Sequence, residues 1–333
     1  MAHLRLSQVL CVGLLAWSGL AQAATTLKIA TLSPPGSAWM VAMEDAAARI
    51  AEATEGRVTL RFYPGGVMGD DTAVMRKIRF GQLQGAALTT GALQSDYTDV
   101  QLYNLPMLFR SFAEVDALRA RFDDRLLAGL EEAGWVSFGF AEVGFAYAMS
   151  KTAAMTVEEA RKLKVWSPTD DRGAEASLRG FGISPVTLGI ADVLPGLQTQ
   201  LINAIAAPPV AAIALQWFTQ LDHLLELPFM YVYGTLAIQK KAFDRLSASD
   251  QDQVRALVSE AIGAIGAQNR ADHEQALAAL QAQGLNFITP NPAAQAGWAA
   301  AAAASRAEMI TSGAVGEGLY AELLAALKAH RGE

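Results

Sequence analysis

Residues 249–283 contain no proline, and Val254, Leu257, Val258, Ala261, Ile262 and Ile265 recur there at helical spacing. One helix of roughly 35 residues is about 50 Å long, more than a small core spans, so it has to lie across more than one. The length of 333 residues agrees: chains of this size divide into lobes of about 150 residues. Two lobes braced by one helix are the starting expectation.

What precedes that helix reads as two series of alternating strands and helices. In the first, a strand over 27–31 runs into Pro34-Pro35-Gly36, and a helical pattern through Trp39, Met43, Ala46, Ala47 and Ile50 ends near Glu55-Gly56. A strand over 58–63, the turn Pro64-Gly65-Gly66, a helix over 70–80 and an apolar strand over 86–89 repeat the unit. The second series begins after Ser150, with strands over 163–166 and 185–188 around a helix over 171–181. It continues with a helix through Val193, Leu197 and Leu201, then an apolar segment over 204–207 that Pro208-Pro209 stops. The alanine tract over 299–304 is a strong helix former. The fold class is α/β, with mixed, mostly parallel sheets flanked by helices, and ligands on such sheets sit beyond the carboxyl ends of the strands.

Composition narrows the function. Lys and Arg number 26 against 33 Asp and Glu, a net charge of −7, so no basic excess exists to neutralise nucleic acid. Residues 1–23 read as a secretory signal, with Arg5 at the positive start, an apolar stretch over 9–20 and Ala21-Gln22-Ala23 as the cleavage site. Cleavage leaves Ala24 first, removes Cys11, the single cysteine, and leaves nothing to insert in a membrane. The expected compartment is the periplasm, with a core that holds without disulfides.

Catalytic chemistry is hard to find. Thiol catalysis is excluded in the mature chain, His223 reads as a structural or surface residue, His273 and His330 as solvated, and no cofactor or metal is expected. The glycine-rich segment over 64–69 lacks both the Lys-Ser/Thr of a phosphate loop and the dinucleotide spacing, and no G-x-S-x-G elbow is present. Asp70-Asp71 and Asp123-Asp124 read as helix-start residues that favour the helix dipole. The expectation is no enzyme, but capture of a small molecule between the lobes.

At this point the residues resemble a known family. Lys28-Ile29-Ala30-Thr31-Leu32-Ser33-Pro34-Pro35-Gly36-Ser37 and Tyr63-Pro64-Gly65-Gly66-Val67-Met68-Gly69 are similar to the start of the DctP-like substrate-binding proteins of TRAP-type transporters. Thr89-Thr90-Gly91-Ala92-Leu93, Leu105-Pro106-Met107-Leu108-Phe109, Leu163-Lys164-Val165, Asp192-Val193 with Gly196-Leu197-Gln198-Thr199, and Lys240-Lys241-Ala242-Phe243-Asp244 continue the likeness in order along the mature chain. The resemblance implies a periplasmic-binding-protein clamshell, with 24–150 and 234–265 as the first lobe, 151–233 and 284–333 as the second, and 249–283 as the helix bridging them. It implies partners too: a small-molecule ligand and the small and large subunits of a TRAP permease, or, in a signalling alternative, a membrane sensor. The receptor itself is expected to be a monomer.

The family's carboxylate-binding arginine falls at Trp166, a second arginine after Gly144-Phe145 falls at Ala146, and the asparagine before a later proline falls at Ala207. Burying a carboxylate without a charged partner would cost several kcal/mol, so the expected ligand is mainly apolar or aromatic. Trp166, Phe145, Ala146, Ala207, Trp217, Ile190 and Tyr147 are the candidate cleft residues, with Trp39 and Met40 at the first lobe's mouth and Ser33 and Thr89 offering hydrogen bonds. An aromatic box with Glu142 and Asp170 nearby would suit a cation, and Arg110 is the candidate for a carboxylate.

Overall fold

The computed structural model describes residues 24–333, and the expected signal segment lies outside the described residues. Eleven strands follow in chain order: β1 (Thr25–Ala30), β2 (Val58–Tyr63), β3 (Gly85–Thr89), β4 (Trp135–Ser137), β5 (Ala141–Ser150), β6 (Trp166–Pro168), β7 (Val186–Leu188), β8 (Ala204–Ala207), β9 (His223–Leu225), β10 (Met230–Gln239) and β11 (Asn286–Ile288).

The first lobe grows from its strand-helix-strand units. The helix Ala38–Ala53 begins where the Ser37 hydroxyl accepts from the Met40 amide, and it buries Met40, Met43, Ala46 and Ile50 at helical spacing. Asp70 caps the helix Asp71–Arg79 in the same way, accepting from the Ala73 amide. These crossovers make β1 parallel to both β2 and β3. β10 then joins β3 antiparallel and carries β4 and β5 on its other side.

The second lobe is built on the continuation of the same backbone. β5 pairs with β10 over its first half and with β8 and β9 over its second, so one strand belongs to both sheets. The parallel pair β6 and β7 attaches through a bridge from Val165 to Ala204. Where β5 and β10 pass between the lobes the register slips between Val232 and Tyr233, opposite Gly144, whose φ of 113° suits only glycine.

The helix Ala248–Ala282 has the 35 residues its spacing predicts, and the Ser247 hydroxyl caps it. Its first half packs Val254, Val258 and Ile262 into the first lobe's core, and Leu277 and Leu280 reach the second lobe's core. The tail departs from expectation. The helix Pro292–Thr311 packs on the helix Arg172–Gly180 of the second lobe, but the helix Glu317–Arg331 returns to the first and lies on the helix Phe112–Glu132. Leu319, Leu323 and Leu327 enter the core of Val115 and Leu118, and Arg331 donates to Glu114 at 2.8 Å. The boundary that put 284–333 wholly in the second lobe is therefore corrected at about 311. Asp123 is corrected as well: it lies inside the helix Phe112–Glu132, where it accepts from Tyr103 and Arg119.

Candidate functional site

The carboxyl ends of β3, β6 and β8 face one another across the gap between the lobes, and a cavity of about 250 Å³ lies there. Thr89, Thr90, Gln101 and Asn104 line it from the first lobe, Val143, Val232 and Tyr233 from the hinge strands, and Trp166, Ala207 and Trp217 from the second lobe. The Trp166 indole N–H donates to the Leu188 carbonyl at 2.9 Å, which fixes the ring. Trp217 packs against it, ring centroids 5.3 Å apart and planes at 65°. Ala207 contributes only a methyl group, and Pro208 turns the chain away into the next helix.

Two further compartments share walls with this cavity through Thr89 and Ile190. The outer one, about 270 Å³, is lined by Ser33, Trp39, Asp71 and Glu142. The mouth, about 420 Å³, carries Asp70, Asp71, Asp170, Asp171 and Glu175 against Arg79 and Arg172. No lysine or arginine lines the 250 Å³ cavity among the described residues.

The acidic groups differ in how they are held. Asp171 caps the helix Arg172–Gly180, accepting from the Ala174 amide and from Gln101 Nε2, each at 2.9 Å, and its burial pushes the carboxyl pKa up. Glu142 accepts from Arg270 Nε at 2.8 Å and from the Tyr231 hydroxyl at 2.9 Å, and Arg270 extends to Asp116 at 2.7 Å. Asp71 accepts from the Thr89 hydroxyl at 2.7 Å; burial pushes its pKa up to about 6, with those Thr89 bonds opposing the rise.

The lobes touch on this side of the cleft. Gln101 reaches Asp171, the Gly173 amide donates to Gln94 Oε1 at 3.1 Å, and Thr72 donates to Asp170 at 2.7 Å. Gly91 lies so close that a Cβ there would stand 2.2 Å from Asp171 Oδ2.

Of the residues expected at the site, Trp166, Ala207, Trp217, Ile190 and Thr89 line the inner cavity. Ser33 and Trp39 line the outer compartment, and Asp170 sits at the mouth with a left-handed φ of 60°. Others are placed elsewhere. Phe145 is buried in the first lobe against Phe112 and Tyr231, Ala146 is buried and pairs with Met230 on the neighbouring strand, and Met40 is a core residue of its helix. Tyr147 packs on His273, Nε2 to hydroxyl 3.5 Å. Glu142 borders the outer compartment, but its carboxylate is committed to Arg270 and Tyr231. His273 is only 2% exposed, its Nδ1 without a partner beside Gly144, and burial lowers its pKa, so its solvated reading is corrected. Arg110 is out at the surface, its side chain 66% exposed and paired with Glu333. Gln101, Asn104, Asp171 and Tyr233 enter the site without having been singled out, and Asp71, expected only as a helix-start residue, opens its helix on the cleft side.

Residues 29–312 match the family described as Bacterial extracellular solute-binding protein, family 7. The chain is 25% identical over 287 residues to the 2,3-diketo-L-gulonate-binding periplasmic protein YiaO of Escherichia coli, covering 83% of this chain and 85% of that one. It is 22% identical over 275 residues to the sialic acid-binding periplasmic protein SiaP of Vibrio cholerae, covering 81% and 84%. Among solved structures, a TRAP periplasmic solute-binding protein of Ralstonia eutropha with bound (S)-2-acetolactate superposes with a TM-score of 0.83 at 20% identity, covering 91% of this chain and 99% of that one. One of Sulfurospirillum deleyianum with bound succinate gives 0.82 at 19% identity, also covering 91% and 99%. The two-lobed fold, the ordered motifs and the match over most of its length agree: the chain belongs to family 7 of the bacterial extracellular solute-binding proteins, the DctP-like receptors of TRAP-type transporters.

Proposed function

We propose that this receptor closes on a small molecule with a mainly apolar or aromatic body and delivers it from the periplasm to the small and large subunits of a TRAP-type permease. The observation that carries the reading is the wall made by Trp166, Trp217 and Ala207 in a cavity lined by neither lysine nor arginine. An unpaired carboxylate buried there would forfeit several kcal/mol of hydration, whereas an apolar body gains about 25 cal/mol per Å² of area removed from water. The relatives named above carry carboxylate ligands in their names or their structures. A carboxylate in this chain would have to stay at the mouth, near Arg79 or Arg172. The receptor acts as a monomer, because the apolar stripe of the long helix is buried on the two lobes through Val254, Val258, Ile262 and Leu280.

Native mass spectrometry of the protein purified from a periplasm tests this reading. The expected result is a compound with an apolar or aromatic body and no carboxylate, near one per chain, lost in Trp166→Ala and exchanged for another class in Trp166→Arg. A small dicarboxylate or sugar acid that both variants retain would overturn it.

A further inference from the structure

Asp71 is the one carboxylate of the inner and outer compartments whose bonds come from a single neighbouring residue. Both donors belong to Thr89, the hydroxyl at 2.7 Å and the amide at 3.4 Å, and both point at Oδ2. Oδ1 has no partner among the described residues, and no lysine or arginine lies within ion-pair distance. The other acids there are satisfied: Glu142 by Arg270 and Tyr231, Asp171 by Gln101 and the first turn of its helix. Thr89 lines the apolar cavity as well as the compartment that holds Asp71, so a ligand lying against Trp166 and Trp217 has this carboxylate beside its path.

Two independent features favour the same ligand chemistry. Asn104 lines the apolar cavity with Nδ2 donating to the Thr90 hydroxyl, while its buried Oδ1 accepts from nothing in the protein. It is an acceptor lacking a donor. Besides Asp71 the mouth carries four carboxylates against two guanidinium groups, a field that draws cations in and turns anions away.

Resting on the reading of the cleft as the solute site, we propose that the captured molecule carries a protonated amine on its apolar body and that Asp71 receives that ammonium group. The charge then meets the carboxylate the fold leaves unneutralised, and the apolar body lies on the two tryptophans in the cavity that Asn104 also lines.

The test is isothermal titration of the mature chain with matched probes: 2-phenylethylamine, tryptamine and 2-cyclohexylethylamine, each beside its alcohol and its carboxylate counterpart. At least one amine should bind about tenfold or more tightly than its own carboxylate, as pairing with a desolvated charge requires. Asp71→Asn should narrow the amine-to-alcohol ratio by about tenfold, a ratio that a general loss of folded protein leaves unmoved. Carboxylates that bind as tightly as the amines, or an amine preference untouched by Asp71→Asn, would overturn the assignment. If the carboxylates win and Trp166→Ala weakens them, the apolar cavity remains the solute site and only the amine falls. Saturable binding by no member of the series would sink both.

Discussion

Asp71 holds a charge that the folded chain does not neutralise, and that has a consequence for stability apart from any ligand. Its carboxyl moves from 3.8 to about 6 on folding, driven first by burial, with Asp70 and Asp171 adding repulsion and Thr89 opposing. The fold therefore holds the Asp71 proton more tightly than the unfolded chain does. Its favourable contribution is complete below about pH 3.8 and is lost as the pH rises through 6. Asp71→Asn keeps an oxygen for Thr89 and removes the half-buried charge, so urea denaturation at pH 7.5 should find the variant more stable by about 1–2 kcal/mol. The gain should shrink to nearly nothing at pH 4. A gain of equal size at both pH values would show that the charge is not its source. A binding-site residue that destabilises the empty protein fits a group reserved for something that arrives later.

At the scale of elements, β5 and the long helix, two of the segments that pass between the lobes, are tied to each other by one charged cluster. Arg270 projects from that helix to Glu142 on β5 and to Asp116 on the helix Phe112–Glu132, with its guanidinium 4.6 Å from the Phe112 ring centre. Glu142 is almost wholly buried, so removing its partner strands a carboxylate in the core. Arg270→Met should destabilise the protein by about 3 kcal/mol in chemical denaturation, and Glu142→Leu added to it should recover most of the loss. A double variant as unstable as the single one would mean that packing, not charge, sets the value of the pair. The long helix was legible because its apolar stripe repeats at helical spacing and no proline interrupts it. β5 and β10 were not, and the reason is physical. Neither strand has an exposed residue, their positions being either buried or half-buried, so the apolar-polar alternation that marks a strand with one solvated face is absent from them. Phe145, Ala146 and Tyr147 stand on β5, and which sheet a residue joins on a shared strand depends on partners far away in sequence. Trp166 and Ala207 came from the resemblance, which puts the family's arginine and asparagine at those positions, and Thr89 closes a strand that the sequence makes recognisable.

Over the whole molecule, capture requires two lobes to meet without binding each other too firmly. The chain passes between them along β5, β10 and the long helix, and it returns once more at 312–316, where the Gly316 amide donates to Asp99 and fastens the last helix to the first lobe. Asp171, fixed as a helix cap, lies against the backbone of Gly91, with Gln94 and Gln101 bonding on either side. Gly91 has an ordinary backbone conformation, and its absent side chain is needed only for that approach: a Cβ would stand 2.2 Å from Asp171 Oδ2 and 2.5 Å from its Cγ. Gly91→Ala should therefore leave each lobe's core intact and hold the lobes apart. Solution scattering should show a larger radius of gyration than the native protein at saturating ligand, with the melting temperature of the unliganded chain little changed. Because affinity scales with the population able to close, an overpacking penalty of about 1–3 kcal/mol in the closed form should weaken ligand binding by about tenfold or more. The partner variant Gln101→Ala removes a bond without adding bulk, so it should weaken binding less and leave the scattering of the liganded protein unchanged. Native scattering and native affinity in Gly91→Ala would show that the working closed form does not bring Asp171 onto Gly91, and the interlobe contacts around Asp171 would then lose their role in capture.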